Sequence, residues 1–228
     1  MKTIGLIGGM SWESSTEYYR IINEEVKRRL GGFHSAKCIL YSVDFEEIEL
    51  CQRNGEWGKT ARILSDAARS LKAAGADFII LCTNTMHKVA EQIQAGAGIP
   101  LLHIADITAR QVLSHGIKTI GLLGTKYTME QEFYKSRLES QGIKVLIPNE
   151  GDRAIVNAVI YDELCLGKII DGSRDEYKRI IRELIEQGAE GIILGCTEIG
   201  LLVKPEDSDV PLFDTTLIHA VGAVDYAL

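Results

Sequence analysis

The stretch KTIGLIG at residues 2–8 decides the fold, because the sequence repeats it as KTIGLLG at 118–124. Two further matches follow in the same order, and they pair GADFIIL at 75–81 with GAEGIIL at 188–194, and GIPLLHIAD at 98–106 with DVPLFDTTL at 209–217. The offsets of 116, 113 and 111 residues keep the three matches in register. Three matches in register indicate two copies of one structural unit.

Short apolar runs alternate with amphipathic helical patterns in both copies. The runs predict strands at 3–7, 37–43, 78–82, 119–123 and 191–194. Tyr18, Ile22 and Val26 recur every four residues, which is the spacing of a helix face. Continuous apolar strands between amphipathic helices are typical of parallel sheets covered on both faces. The predicted fold class is therefore α/β, with two similar pseudo-symmetric lobes, each a mainly parallel sheet flanked by helices, and an active-site cleft between them.

The repeat also predicts the domain organisation. We expect residues 1–98 and 212–228 to form the N-terminal lobe and residues 99–211 to form the C-terminal lobe. The segment 215–228 is predicted to be a helix that returns to the first lobe. Ligands of such folds bind beyond the carboxyl ends of the strands, so the loops after the strands are the place to look for function.

Composition and charge exclude several functional classes. The 228 residues carry a net charge of -7 and no basic run, which argues against nucleic acid or an anionic membrane as partner. No apolar stretch is long enough to span a bilayer. GLIGGM at 5–10 is not the dinucleotide pattern G-x-G-x-x-G, and GMSWE at 9–13 is not the nucleophile elbow G-x-S-x-G.

The cysteines and histidines give no sign of a metal or a disulfide framework. There are five cysteines, an odd number, and no close C-x2-C pair. His34, His103, His115 and His219 show no metal-ligand spacing, so we predict no metal. Because the dinucleotide pattern is also absent, we predict no nicotinamide cofactor either. The segment MKTIGLIGG lacks the features of a secretion signal. We therefore expect a cytoplasmic protein with free thiols.

The repeat places two polar residues at equivalent positions after equivalent strands. CTNT at 82–85 follows GADFIIL, and GCTE at 195–198 follows GAEGIIL. The register pairs Thr83 with Cys196 and pairs Cys82 with Gly195 one step earlier. Because one step along a strand reverses the direction of the side chain, Thr83 and Cys196 are predicted to face the cleft and Cys82 the core.

The sequence resembles the cofactor-independent aspartate/glutamate racemase superfamily over essentially its whole length. The matching segments are GLIGGM at 5–10, NTMH at 84–87, GLLGT at 121–125 and GCTE at 195–198. The resemblance implies racemisation at the α-carbon of an acidic amino acid without pyridoxal phosphate, and often a dimer. It also implies two catalytic cysteines, one before the asparagine of the NT motif and one before the threonine of the CTE motif.

This sequence departs from that pattern at the first position, where Thr83 stands in place of a cysteine. Cys196 fits the second position, which in the family generally serves the L-enantiomer. We therefore predict that Cys196 removes the α-proton from an L-substrate and that Thr83 relays a proton to the opposite face. A cysteine thiol is an available base near neutral pH, whereas a threonine hydroxyl is far too weakly acidic for that role.

Several loop residues suit an amino-acid ligand. Backbone amides around Gly9, Met10 and Ser11 are candidates for holding a carboxylate at a helix N-terminus. Neutral hydrogen bonds are expected from a set of amides and hydroxyls, namely Asn84, Thr85, Thr125, Thr128 and Thr197. Glu198 is a candidate for accepting from the ammonium or for tuning Cys196. Thr128 is alternatively only a helix N-cap, and His87 either orients the site or caps a helix.

The charged residues that bind the distal carboxylate of the substrate in the family are not found at the matching positions here. The resemblance implies an arginine and a lysine, and the nearest positions here hold Ile48 and Cys165. Gln52 and Arg53 lie close to the first position, and Lys168 lies near the second. Of these, Gln52 is our candidate for substrate binding.

The predicted function is a racemase acting on aspartate or glutamate, with a small-molecule amino acid as its ligand and a homodimer as its assembly. Two alternatives stay open. One is a dicarboxylate isomerase or decarboxylase of the same superfamily. The other is a non-catalytic amino-acid-binding protein on a decayed racemase site, which Thr83 favours and the intact GCTE segment opposes.

Overall fold

The computed structural model describes residues 1–228 as two compact α/β units. The first unit comprises residues 1–104 and 219–228, and the second comprises residues 105–218. These boundaries fall several residues later than those predicted from the repeat. The reason is backbone pairing: the amide of Ile79 bonds to the carbonyl of Pro100, which ties that segment to the first unit, whereas Leu212 pairs with Ile192 of the second.

The first unit contains a three-stranded parallel sheet in the order β2-β1-β3. Its strands are β1 (Ile4–Gly8), β2 (Cys38–Ser42) and β3 (Phe78–Leu81), and its helices are α1 (Trp12–Leu30), α2 (Phe45–Arg53), α3 (Trp57–Ala73) and α4 (Ala90–Ala97). A 3-10 helix, Thr85–Val89, lies between β3 and α4. All residues of β1 and β3 are buried, whereas the edge strand β2 leaves Leu40 and Tyr41 exposed.

The second unit contains a four-stranded parallel sheet in the order β5-β4-β6-β7. Its strands are β4 (Thr119–Gly124), β5 (Lys144–Leu146), β6 (Ile192–Gly195) and β7 (Leu212–Asp214). The remaining helices of the chain are α5 (Ile104–Ser114), α6 (Lys126–Glu130), α7 (Glu132–Glu139), α8 (Glu150–Asp162), α9 (Asp171–Glu186), α10 (Ile199–Leu202) and α11 (Thr215–Ala227). Short 3-10 helices occupy Leu164–Leu166 and Pro205–Asp207. The predicted α/β class with two parallel sheets is confirmed.

The two sheets pair their strands in the same register, as the internal repeat requires. In the first unit Gly5 of β1 is opposite Ile79 of β3, and in the second Gly121 of β4 is opposite Ile192 of β6. The third repeat pairs in the same way in both units. Leu101 pairs with Ile79 of β3 through a single bridge, and Leu212 of β7 pairs with Ile192 of β6. The repeat in the sequence is thus a repeat in the backbone pairing.

Alternating residues of the first sheet contribute to two different cores. Ile7, Ile79 and Leu81 pack with apolar residues of α2, α3 and α4 on one face. Ile4, Leu6 and Phe78 pack on the other face with Tyr18 of α1 and with the end of α11. This two-residue alternation is the geometry of a strand with helices on both sides, which explains why its sequence is continuously apolar. No helix in the structure is both long enough and apolar enough to cross a membrane.

Candidate active site

The loop that follows β3 separates a core cysteine from a partly exposed threonine. Cys82 is fully buried among the residues that pack on α1 and α11, and burial raises the pKa of its thiol. Thr83 is partly exposed, and Asn84 and Thr85 behind it are buried. The side chains of Cys82 and Thr83 therefore differ in accessibility as predicted from the one-step alternation.

The backbone around Thr83 is held by two side chains. Ser14 of α1 donates its hydroxyl proton to the carbonyl of Cys82 at 2.9 Å. Nδ1 of the buried His87 lies 2.9 Å from the carbonyl oxygen of Thr83. Both readings of His87 have a contact behind them: Nδ1 bonds to the loop itself, and Nε2 accepts from the amide of Ile104, the first residue of α5.

Gln52 lies beside the same loop. It is buried near the end of α2, and its Nε2 is 3.9 Å from the sulfur of Met86. Ile48, one turn earlier, is fully buried in the core. Arg53 is exposed and paired with Glu49 at 2.7 Å. Burial thus separates Gln52, which lies next to the loop, from Arg53, which lies on the surface.

The start of α1 is less available to a ligand than the sequence indicates. Ser11 is the N-cap of α1, and its hydroxyl accepts from the amide of Ser14 at 3.3 Å. The amide of Gly9 donates to Ser15 Oγ at 2.8 Å, so this predicted carboxylate donor is already engaged. Met10 is buried and packs its side chain into the core with Ile7 and Ile48.

In the second unit the thiol of Cys196 bonds to its neighbour Glu198. Cys196 Sγ donates to Glu198 Oε2 at 3.0 Å, and the carboxylate is buried while the thiol is partly exposed. Burial raises the pKa of Cys196 well above its usual value, and the adjacent carboxylate raises it further. In the free protein this thiol is therefore protonated at neutral pH, with an acceptor for its proton in place.

Close packing at the end of β6 sets the position of Cys196. A side chain at Gly195 would lie 2.7 Å from the carbonyl oxygen of Leu123 and 3.3 Å from Cγ2 of Thr128. Since the first contact is with backbone, the sheet has no room for a larger residue here. Thr128 thus lies close beside the strand end that precedes Cys196.

Two of the three predicted threonines of the second unit contact each other, and the third contacts a threonine that the sequence does not single out. Thr125 is the N-cap of α6, and its hydroxyl oxygen accepts from the amide of Thr128 at 3.4 Å. The N-cap therefore lies about one turn before Thr128, and the alternative that Thr128 is the N-cap is wrong. Their hydroxyl oxygens lie 3.3 Å apart, and both residues are buried. Thr197 accepts from the hydroxyl of Thr216 at 2.8 Å. Thr216 was not foreseen, because it is brought to the GCTE loop by β7 and the start of α11.

Cys165 packs against the same core as Cys196, in the 3-10 helix after α8. The nearby Lys168 is exposed. Within the first unit, the structure joins His87 to His103, His219 and Tyr18, which the sequence leaves far apart. No signal in a single sequence links residues separated by such distances.

A substitution of Glu198 tests the electrostatics of the thiol. We expect Glu198→Gln to lower the pKa of Cys196, because it removes a negative charge that opposes thiolate formation. The pH midpoint of iodoacetamide alkylation of Cys196, followed by peptide mass spectrometry, is expected to fall by about one unit. Glu186→Gln, at an exposed position of the same unit, serves as the control. An unchanged or higher midpoint in Glu198→Gln would contradict this account.

Proteins of known sequence and structure share this fold of two parallel sheets. The sequence model of the Asp/Glu/hydantoin racemase family matches residues 7–223. The broad specificity amino-acid racemase RacX of Bacillus subtilis (strain 168) is 28% identical over 224 residues, covering 97% of this chain and 96% of RacX. The chain therefore belongs to the Asp/Glu/hydantoin racemase family, and it is a racemase of that superfamily.

Two solved structures extend this similarity to the whole fold. A crystal structure from Yersinia pestis, assigned as an Asp/Glu racemase, is 62% identical with a TM-score of 0.94, covering 100% of this chain and 99% of that one. An aspartate racemase homologue from Pyrococcus horikoshii OT3 is 35% identical with a TM-score of 0.86, at the same coverage. The resemblance seen in the sequence is thereby confirmed.

Proposed function

We propose that the protein interconverts the L- and D-enantiomers of aspartate or glutamate without pyridoxal phosphate, using Cys196 and Thr83 at the α-carbon. The observation that carries the proposal is the matched strand register. Residues 83 and 196 follow equivalent strands at equivalent positions, and both are partly exposed beside buried polar groups. Racemisation needs one proton-transferring group on each face of the α-carbon, and a duplicated loop supplies such a pair.

The proposed proton path starts at the thiol. The sulfur of Cys196 takes the α-proton of the L-enantiomer while its own proton passes to Oε2 of Glu198, the atom it already faces at 3.0 Å. The hydroxyl of Thr83 then donates a proton to the opposite face of the carbanion. Water returns a proton to Thr83, and Glu198 releases one to solvent, so the cycle closes without a net gain or loss. In the reverse direction the steps run in the opposite order: the Thr83 oxygen, deprotonated by hydroxide from solvent, takes the α-proton of the D-enantiomer, and Cys196 donates a proton to the other face while Glu198 returns one to the sulfur.

The remaining predicted residues are assigned to substrate binding. Asn84 and Thr85 lie beside Thr83, and Thr197 and Glu198 lie beside Cys196, so each candidate for proton transfer has neighbouring hydrogen-bonding groups. Gln52 is our candidate for the distal carboxylate, because it is buried next to the Thr83 loop while Arg53 is exposed. Met10, Ser11, Thr125 and Thr128 are retained as residues that line or support the site.

One observation favours a wider substrate range as a second candidate function. Ile48 is fully buried, and Cys165 packs on an apolar core, so neither position offers a charge to a distal carboxylate. A binding site made of neutral groups such as Gln52 discriminates less strongly against substrates with uncharged side chains than a site with an arginine and a lysine does. The relative named as a broad specificity racemase is consistent with this second candidate.

We also propose a homodimer that works in the cytoplasm. The five cysteines are all free, as expected in a reducing compartment. The edge strand β2 exposes Leu40 and Tyr41, and an apolar edge of this kind is a surface that a second copy would cover.

Proton NMR in deuterated water tests the proposed function directly. The protein is incubated with L-aspartate, L-glutamate and several neutral L-amino acids, and each mixture is then resolved by chiral chromatography. Loss of the α-proton signal together with appearance of the D-enantiomer is expected for aspartate or glutamate. Turnover of neutral amino acids at similar rates would favour the second candidate. Binding without any deuterium uptake would instead support a non-catalytic binding protein.

A further inference from the structure

The two peptide planes that flank Thr83 are each held by a side chain. The hydroxyl of Ser14 donates to the carbonyl of Cys82, and the imidazole of His87 contacts the carbonyl of Thr83, both at 2.9 Å. The first carbonyl belongs to the peptide unit before residue 83 and the second to the unit after it. Because each peptide unit is planar, holding both planes restricts φ and ψ of Thr83 and thereby the direction of its Cα–Cβ bond.

The hydrogen bonds of His87 determine where its proton lies. The amide of Ile104 donates to Nε2 of His87 at 3.2 Å, so this nitrogen carries the lone pair. In a neutral imidazole the single proton is then on Nδ1, which donates it to the carbonyl of Thr83. Both ring nitrogens are therefore bonded to backbone groups, and the ring cannot rotate without losing both bonds.

Two further imidazoles hold His87 in place. The ring centroids of His103 and His219 lie 4.5 and 5.6 Å from that of His87. His219 donates from Nε2 to the carbonyl of Leu102 at 2.9 Å and accepts at Nδ1 from the hydroxyl of Tyr18 at 2.8 Å. The cluster thus has its own hydrogen-bonded support from α1 and α11.

Burial keeps the imidazoles of His87 and His219 uncharged. Desolvation lowers the pKa of His87 well below its usual value, and the neighbouring His103 and His219 lower it further. Desolvation also lowers the pKa of His219 to about 4. At neutral pH His87 and His219 are therefore neutral, and His87 keeps the tautomer that donates to Thr83.

We propose that Ser14 and His87 are positioning residues that aim the hydroxyl of Thr83 at the substrate α-carbon. The proposal rests on the proposed function, in which Thr83 delivers the proton to one face. The bonds from Ser14 and His87 described above go to carbonyl oxygens of the loop, so through them the two side chains orient Thr83 without exchanging protons with its hydroxyl. A threonine hydroxyl is a weak acid, which makes its placement more important than it would be for a thiol.

Four variants test the proposal. Ser14→Ala and His87→Leu each remove one donor, and His87→Asn restores an N–H near the position of Nδ1. Ser65→Ala is the matched control, because Ser65 is a buried serine of the same unit whose hydroxyl also bonds to a carbonyl, that of Gln92. We measure kcat and KM in both directions, together with the methyl signal of Thr83 in protein labelled with 13C at threonine methyl groups.

We expect Ser14→Ala and His87→Leu to lower kcat by about 10- to 100-fold with little change in KM, since a misplacement near 1 Å has effects of this size. Their Thr83 methyl signal is expected to move. His87→Asn should recover most of the loss, and Ser65→Ala should behave as the wild type. An unchanged kcat in folded Ser14→Ala and His87→Leu, or an equal loss in Ser65→Ala, would overturn the proposal.

The methyl signal separates this proposal from the proposed function. If the wild-type protein shows no α-deuteration, the racemase assignment fails, but the NMR comparison still decides whether the two side chains hold Thr83. A methyl signal that moves in Ser14→Ala and His87→Leu, and not in Ser65→Ala, supports the positioning role. A methyl signal that stays in place in all variants contradicts it, whatever the activity.

Discussion

Replacing Cys196 by alanine is expected to lower both racemisation and α-proton exchange of the L-enantiomer by about 10³-fold or more. General acid–base groups contribute roughly 10²- to 10⁴-fold, and no other residue in the GCTE loop combines a thiol with an adjacent carboxylate acceptor. The measurement is the rate at which the α-proton signal disappears in deuterated water. The D-enantiomer is quantified in the same samples.

Cys38→Ala provides the control for this prediction. Cys38 is also a partly buried free thiol, but it is the first residue of the edge strand β2. It is far in sequence from the loop that contains Thr83. This variant is expected to keep wild-type exchange rates. Exchange that persists in Cys196→Ala at rates close to wild type would show that a different group removes the α-proton.

Replacing Thr83 by valine is expected to separate exchange from inversion. Valine keeps the branched shape of threonine and removes the hydroxyl, so the loop is preserved while the donor is lost. Inversion is expected to fall by about 10²-fold or more, whereas deuterium uptake by the L-enantiomer continues because Cys196 and Glu198 are intact. The ratio of deuterated L-substrate to D-product therefore rises.

Thr83→Ser keeps the hydroxyl and is expected to retain most of the inversion. The two enantiomers have equal free energy in water, so kcat/KM must be equal in both directions even though kcat and KM individually differ. For Thr83→Val, both directions of net inversion should therefore decrease together. Wild-type inversion in Thr83→Val would remove Thr83 from the proton path.

Much of the fold is predictable because strand pairing depends on the local apolar pattern. Five strands fall within about one residue of the predicted runs, since buried parallel strands have continuous apolar sequences. The short strands β5 and β7 were not predicted as strands. Each has three residues and is partly exposed, so neither shows the long apolar run that identifies β1 or β6.

Only the features of the candidate site that follow from the internal repeat can be predicted from the sequence. The register alone distinguishes Cys82 in the core from the partly exposed Thr83. Hydrogen bonds between distant residues leave no such trace. The bond from Ser14 to the carbonyl of Cys82 links positions 68 apart, and the contact of His219 with Leu102 links positions 117 apart. The engagement of the Gly9 amide by Ser15 likewise becomes visible only in three dimensions.

The shared register of the two sheets has a consequence for how this chemistry evolves. Pairing between strands is a property of the backbone. It is the same in both copies, although Thr83 stands after β3 in one and Cys196 after β6 in the other. After a duplication, the positions of Thr83 and Cys196, just beyond their strands, are therefore free to change their chemistry without disturbing the sheets behind them. One copy carries a thiol whose pKa is raised by burial and by the adjacent carboxylate, and the other carries a hydroxyl on a loop whose carbonyls bond to Ser14 and His87. Under the proposed function, a duplicated scaffold of this kind lets the two proton-transferring groups diverge separately.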